Sequence, residues 1–308
     1  MKIGYPCINL TLNCRSSRSF RLKNYSEERL IDTIGNNLDC LKRILKFNYE
    51  NKILFFRISS DLIPFASHPI MKFDWQSYFK KRFEEIGNFI KTNHMRITMH
   101  PGQYTVLNSR KSNVLNNSIK ELKYHADVLD LLKLDSSAKI ISHIGGVYEN
   151  KQESLKRFID NYQKLDPSIK NHYVIENDDK SYDLNDCLLV HEYTGIPVIL
   201  DIYHHTCKNS GESLFEAIKK AITTWKRKDG LPILHYSSEH PTKGKCRHAD
   251  EIDINHFKEF IEMIKEYDLD IMLEIKDKER STIVAMNTLK TNRAFQNIPK
   301  LQMDNNIF

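Results

Sequence analysis

Short runs of Ile, Val, Leu and Phe alternate along this chain with longer stretches whose apolar residues recur about every 3.6 positions. The short runs are Lys2–Cys7, Ile53–Ser59, Arg96–His100, Lys139–His143, Tyr173–Glu176, Pro197–Asp201, Pro232–His235 and Asp270–Glu274. They are apolar on both faces, as strands of a helix-covered parallel sheet must be. Helical spacing is predicted over Ser26–Phe47, Asp74–Lys91, Asn116–Leu134, Glu153–Leu165, Tyr182–Glu192, Gly211–Lys226, Asn255–Tyr267 and Ser281–Lys290. In the first, Leu30, Ile34, Leu38, Leu41 and Ile44 form one stripe, and Ser26, Ser154 and Ser213 are N-cap candidates. Eight strand–helix repeats predict an α/β protein, a single (β/α)8 barrel over residues 1–290, with a polar C-terminal extension over 291–308. The rival is an open doubly wound sheet, which would gather ligands at one switch point.

Six consecutive runs end on a residue that can bind a metal: His100, His143, Glu176, Asp201, His235 and Glu274. Strand side chains alternate, so His100 shares a face with Thr98, Glu176 with Val174 and Glu274 with Met272. Each ligand then points into the mouth of a closed barrel, and this spread over successive strands favours the barrel over the open sheet. His204 lies three residues after Asp201, across a turn, and His248 lies in the loop after the seventh strand. His205 is the alternative to His204 and should face away. Buried carboxylates without partners are costly, and a bound cation removes that cost. Histidine and carboxylate without cysteine suit Zn²⁺, Mn²⁺ or similar ions. The set is too large for one ion and fits two or three, with Glu176, midway in the series, as the bridge. Three such dications would exceed the charge of Glu176, Asp201 and Glu274, which points to an anionic substrate. Phosphodiesters are the obvious class, because clustered cations stabilise both the attacking and the leaving oxygen.

The chain has 308 residues and a net charge of +6, with a pI near 8.8. That permits a polyanionic partner without demanding one. No apolar run reaches the length of a membrane span, and the N-terminus lacks signal-peptide features. Six cysteines, Cys7, Cys14, Cys40, Cys187, Cys207 and Cys246, are scattered without a close-spaced motif. No disulfide framework is therefore expected, and an intracellular, cytoplasmic setting is. Two further segments can contact substrate. Pro101-Gly102 turns the chain directly after His100 and exposes Gln103 and Tyr104, an amide and a ring suited to filling a gap in a base stack. Arg57 and His68 flank a polar segment after the second strand.

The ordered set Gly4-Tyr5-Pro6-Cys7 with Asn9, Arg57-Ile58-Ser59-Ser60-Asp61-Leu62-Ile63-Pro64, His100-Pro101-Gly102-Gln103-Tyr104, Ser142-His143-Ile144-Gly145-Gly146, Glu176-Asn177-Asp178-Asp179, Asp201-Ile202-Tyr203-His204-His205, His235-Tyr236-Ser237-Ser238, Arg247-His248-Ala249-Asp250 and Leu273-Glu274-Ile275-Lys276-Asp277-Lys278-Glu279 resembles the UV damage endonuclease family. The resemblance implies an endonuclease IV-like TIM barrel holding two or three divalent ions, manganese first, with Zn²⁺, Mg²⁺ or Co²⁺ as alternatives. It implies damaged double-stranded DNA as partner, with no membrane and no obligate protein partner. The implied reaction is incision immediately 5′ to cyclobutane pyrimidine dimers and 6-4 photoproducts, and at abasic sites. Gln103 and Tyr104 match the pair that fills the gap left by flipped nucleotides, and Tyr5, Asn9 and His68 match residues near the substrate pocket. Where the family commonly has a modifiable lysine, this chain has Ile233, so its cluster carries less negative charge. On this reading Glu176 bridges a sphere completed by His100 and His143 and another completed by Asp201, His235 and Glu274. His204 and His248 hold a third ion, and Lys276 steadies the leaving oxygen; Glu176, His235 and Lys276 are the catalytic expectations. An abasic-site nuclease like endonuclease IV is the nearer alternative, and a metal-dependent sugar isomerase the more distant one.

Overall fold

Strands that are apolar on both faces have nowhere to go but between helices, and closing the sheet on itself removes its two exposed edges. In the computed structural model, eight parallel strands close in sequence order into one barrel. They are β1 (Ile3–Pro6), β2 (Phe55–Ile58), β3 (Arg96–Met99), β4 (Lys139–His143), β5 (Tyr173–Glu176), β6 (Val198–Asp201), β7 (Ile233–Tyr236) and β8 (Asp270–Leu273). β1 pairs with β2 and, closing the ring, with β8. The open doubly wound sheet is thereby excluded. The structure describes residues 1–291 apart from 241, 243 and 245. The predicted extension 291–308 lies, beyond its first residue, outside the described residues.

The outer layer follows the helical stripes. It comprises α1 (Glu27–Glu50), α2 (Trp75–Thr92), α3 (Ser112–Leu131), α4 (Lys151–Gln163), α5 (Pro167–His172), α6 (Leu184–Thr194), α7 (Ile202–Cys207), α8 (Leu214–Thr223), α9 (Ile254–Ile264) and α10 (Glu279–Thr291). Ser26 caps α1 by accepting from Arg29 N–H, and Ser213 caps α8 in a reciprocal box with Glu216. Ser154, expected as a cap, is instead inside α4. Asn150 does the capping, and the buried Ser154 hydroxyl donates to the carbonyls of Val147 and Asn150. The short helices α5 and α7 have no counterpart in the predicted elements. No described helix is long and apolar enough to cross a membrane.

The interior of the barrel is tiered. Arg96, Lys139 and Asp270, at the starts of their strands, join Asp229 in a buried ionic foot: Arg96 Nη1–Asp270 Oδ2 is 2.8 Å and Lys139 Nζ–Asp229 Oδ1 2.6 Å. Above it lies a separate apolar layer of Phe55, Ile141, Val174, Ile199, Ile233 and Met272, all with 0% exposure. Two residues further along each strand stand Arg57, His143, Glu176, Asp201, His235 and Glu274. Glu176 above Val174, and Glu274 above Met272, are the alternations expected from the pleat. Ile233 belongs to the apolar layer, one step beneath the polar rim.

The structure also pairs Cys14 with Cys40 and Cys207 with Cys246, against the expectation of no disulfides. The partners are 26 and 39 residues apart in sequence and meet only because folded loops return to helices, which spacing does not reveal. Cys7 and Cys187 remain thiols.

Candidate metal centre

Each rim residue arrives on a strand end or in the turn just beyond it, so barrel closure alone brings them together. Glu176 is the hub. Its Oε1 lies 2.5 Å from His235 Nδ1, and its Oε2 lies 3.2 Å from His100 Nε2 and 3.9 Å from His143 Nε2. Two groups of ligand atoms, each mutually within 4.8 Å, share it: His100, His143 and Glu176; and Glu176, Asp201, His235 and Glu274. Glu176 is the one residue common to both groups. His204 and His248 extend the array. Their ring centroids are 5.9 Å apart, His204 lies 5.9 Å from His143, and His248 packs 5.3 Å from Tyr203.

The imidazoles are oriented by their second nitrogens. Nδ1 of His100 donates to Pro101 O at 3.0 Å, that of His143 to Glu176 O at 3.3 Å, and that of His204 to Asn177 O at 3.0 Å. A carbonyl only accepts, so in each of these rings Nε2 is the nitrogen left to face the rim, where a cation would take the place of any proton it carries. His235 differs. Arg57 Nη2 donates to its Nε2 at 3.0 Å, which puts the proton on Nδ1, facing Glu176. Asn177, which sequence reading passed over as a functional residue, fixes Asp201. Its amide exchanges both hydrogen bonds with the Asp201 backbone, at 2.8 and 3.1 Å. Its place directly after Glu176 was the available signal. Ser60 fixes His100 from below, donating to its carbonyl at 2.5 Å, with His125 Nε2 3.0 Å behind.

The charges in this rim are unevenly matched. Burial works to raise the Glu176 carboxyl pKa, but attraction to His235 and hydrogen bonds from His100 and His235 hold it well below the usual range. Glu274 is likewise held low against burial by Arg57, whose Nη2 is 2.6 Å from its Oε1. Asp201 goes the other way: burial raises it, and Glu176 and Glu274 add to the rise. Burial opposes the charge on His204, yet Asp201 and Glu176 lift its pKa to about 9. Protons are therefore drawn to the Asp201–His204 corner for want of positive charge. There the buried Asp201 Oδ2 has no hydrogen-bond partner, and neither has His248 Nδ1. Imidazole nitrogens turned to the rim and three carboxylates, one with a buried oxygen that has no hydrogen-bond partner, are the donor set that divalent cations fit.

The remaining expected residues fall in several places. Gln103 and Tyr104 form an exposed tip beside the rim. Tyr104 is 77% exposed, and its ring lies so close over Gly102 that a Cβ there would stand 2.7 Å from it. A cleft of about 350 Å³ runs from this tip past His100, His143, Gly145 and Gly146 to His204. At Gly145 the backbone is left-handed (φ 114°), and a Cβ would stand 2.5 Å from Asn108 Oδ1, so only glycine fits this wall. His68 is exposed and lies instead on a neighbouring groove, its Nδ1 accepting from Ile70 N–H. Tyr5 and Asn9, expected near substrate, are buried and hydrogen-bonded to each other at 2.8 Å, with Tyr5 also donating to Asn48. Arg57, expected to meet DNA, is buried against Glu274 and His235. Lys276 pairs with Asp250 at 2.6 Å rather than with any rim carboxylate. His205 faces away to Glu212 at 3.3 Å.

A family model described as UV-endonuclease UvdE matches residues 1–306. A UV DNA damage endonuclease of Clostridium perfringens is 45% identical over 292 residues, covering 94% of this chain and 71% of that protein. The crystal structure of SacUVDE superposes with a TM-score of 0.90 at 45% identity, covering 94% of this chain and 98% of the other. Endonuclease IV from Thermus thermophilus superposes with a TM-score of 0.58 at 12% identity over 95% of this chain and 100% of the other, a likeness of fold.

Proposed function

This chain belongs to the UV-endonuclease UvdE family, and from that premise we propose that it incises double-stranded DNA immediately 5′ to ultraviolet photoproducts and at abasic sites. The observation that carries this reading is the sharing of Glu176 between two ligand groups beside an exposed Gln103–Tyr104 tip. His100, His143 and Glu176 would hold one cation, and Glu176, Asp201, His235 and Glu274 a second. His204 and His248 would hold a third. Mixed imidazole and carboxylate donors suit manganese, with zinc, magnesium or cobalt as alternatives. Bound cations would lower the pKa of water and offset charge on the attacking and leaving oxygens.

The side chains do the rest. Glu176 keeps its charge against full burial, so its two oxygens stay available to both groups. For His235 Nδ1 to serve as a ligand, its ring proton must move to Nε2, and Arg57 must then let go of that nitrogen and keep Glu274 as its partner. Lys276 serves the leaving 3′-oxygen after exchanging Asp250 for it. Gln103 and Tyr104 occupy the space vacated by a flipped dinucleotide, which costs less to unstack when already distorted.

The test is incision of an end-labelled duplex carrying one defined dimer, beside an abasic duplex, with Mn²⁺ or with chelator. Cutting 5′ to the dimer that needs the cation and disappears in Glu176→Ala is expected. Undiminished cutting by that variant would overturn the hub role, and cutting of the abasic duplex alone would favour the endonuclease IV-like reading.

A further inference from the structure

Beyond the cleft, on the same end of the barrel, the loop after β4 carries a second exposed ring. Tyr148 is 39% exposed and adopts a left-handed backbone (φ 53°), a conformation bulky residues seldom take without cause. Two guanidiniums stand over its ring, Arg157 at 5.5 Å and Arg110 at 5.8 Å from the centroid. They are held very differently. Arg157 is tied into the scaffold, donating to Asn108 O at 2.7 Å and Ser154 Oγ at 3.2 Å. Arg110 reaches it from the loop after β3, and its one ion-pair partner among the described residues is Glu149 Oε2 at 3.2 Å, with side-chain exposures of 43% and 84%.

The base of the ring is fixed. Gly146 lies under it, a Cβ there standing 3.2 Å from the ring, and the Gly146 carbonyl accepts from Asn108 Nδ2 at 2.7 Å and Tyr182 OH at 3.0 Å. Gly146 also lines the cleft that Gln103 borders. A rigid aromatic ring thus stands beside an arginine whose present partner, an exposed carboxylate, holds it weakly.

We propose that Arg110 and Tyr148 form a clamp on the sugar–phosphate backbone of duplex DNA flanking the lesion. Arg110 exchanges Glu149 for a phosphate, and the Tyr148 ring packs against the adjoining sugar. Arg157 keeps the ring upright and makes no DNA contact. The assignment rests on the reading of the chain as a DNA endonuclease, and its test separates the two.

The measurement is the Kd of the full chain for a dimer-containing duplex in chelator, over a series of salt concentrations, so that no incision is needed. Arg110→Gln should flatten the slope of log Kd against log salt by about one, the value of one phosphate contact. Tyr148→Ala should weaken binding roughly tenfold with the slope unchanged, and Tyr148→Phe should match wild type, because the ring and not the hydroxyl makes the contact. Glu149→Gln should tighten binding, and less so when Arg110 is already glutamine. An Arg110→Gln slope equal to wild type, or Glu149→Gln weakening binding as Arg110→Gln does, would overturn the clamp and mark the pair as loop support. If the clamp variants bind as wild type while wild type still cuts the dimer duplex, the clamp alone falls. If wild type cuts no damaged duplex, the endonuclease reading falls, and the salt slopes still decide the clamp.

Discussion

Replacing Arg57 by methionine should destabilise this protein much more in chelator than in manganese. The Arg57 guanidinium is buried with Nη2 2.6 Å from Glu274 Oε1 and 3.0 Å from His235 Nε2. Burial opposes its charge, but Glu274 and Glu176 more than restore it. Removing one member of a buried ion pair costs about 3–5 kcal/mol, because the survivor stays buried without compensation. The Glu274 side chain keeps 20% exposure, which favours the lower end, about 3 kcal/mol. At about 2.1 cal/mol/K of unfolding entropy per residue, that is a fall in Tm of about 5 °C for a chain of 308 residues. A cation held by Glu176, Asp201, His235 and Glu274 would supply the same compensation to Glu274. The loss in saturating Mn²⁺ should then shrink below about 1 kcal/mol. Thermal melts of wild type and Arg57→Met, each in chelator and in Mn²⁺, read this directly. Equal losses in the two conditions would refute the idea that Arg57 and a cation compensate the same carboxylate.

Other outcomes follow from the buried charges and cross-links. Burial lowers the His125 pKa to about 4 from 6.5, so the unfolded chain takes the proton first. Its contribution is complete above pH 6.5 and is lost as pH falls toward 4, about 3 kcal/mol in all. Urea melts of His125→Gln should therefore show a flatter acid limb than wild type, and identical limbs would contradict the assignment. Lys139→Met strands Asp229 in the foot of the barrel and should cost about 3–5 kcal/mol, most of which Lys139→Met with Asp229→Asn should restore; a double variant as unstable as the single would show that the pair's charge is not what matters. Iodoacetamide applied to the unfolded, unreduced chain should label Cys7 and Cys187 alone. Prior reduction should expose all six cysteines and lower stability by about 3–4 kcal/mol per bridge. Labelling of all six without reductant would disprove the bridges.

The strands and the rim were legible because one local rule, an apolar run ending on a ligand, carries both. Pleat alternation puts Glu176 over Val174 and Glu274 over Met272 whatever the rest of the chain does. What escaped depends on contacts between distant segments. Nothing near Arg57 in sequence reveals that Glu274, 217 positions later, faces it across the closed barrel. Tyr5 and Asn9 stood out only through the family resemblance, and their buried bonds to each other and to Asn48 in α1 depend on the fold. The α7 helix is only 6 residues long and starts on the residue after β6, so the segment past Asp201 read as a turn and not as a helix. Ser154 looked like a cap because the true cap, Asn150, lies one turn earlier beside an equally polar run.

The six-membered oily disc of Phe55, Ile141, Val174, Ile199, Ile233 and Met272 has a consequence for traffic through the molecule. Its six side chains carry no polar atom, and Thr98, between Arg96 and His100 along β3, has a buried hydroxyl without a hydrogen-bond partner, so among the described residues no chain of hydrogen bonds joins the rim to the foot. Whatever the rim gains or sheds must travel by the open mouth. A nucleic-acid duplex seated there would stopper that same opening, so letting go of the cut strand and resetting the rim become one event.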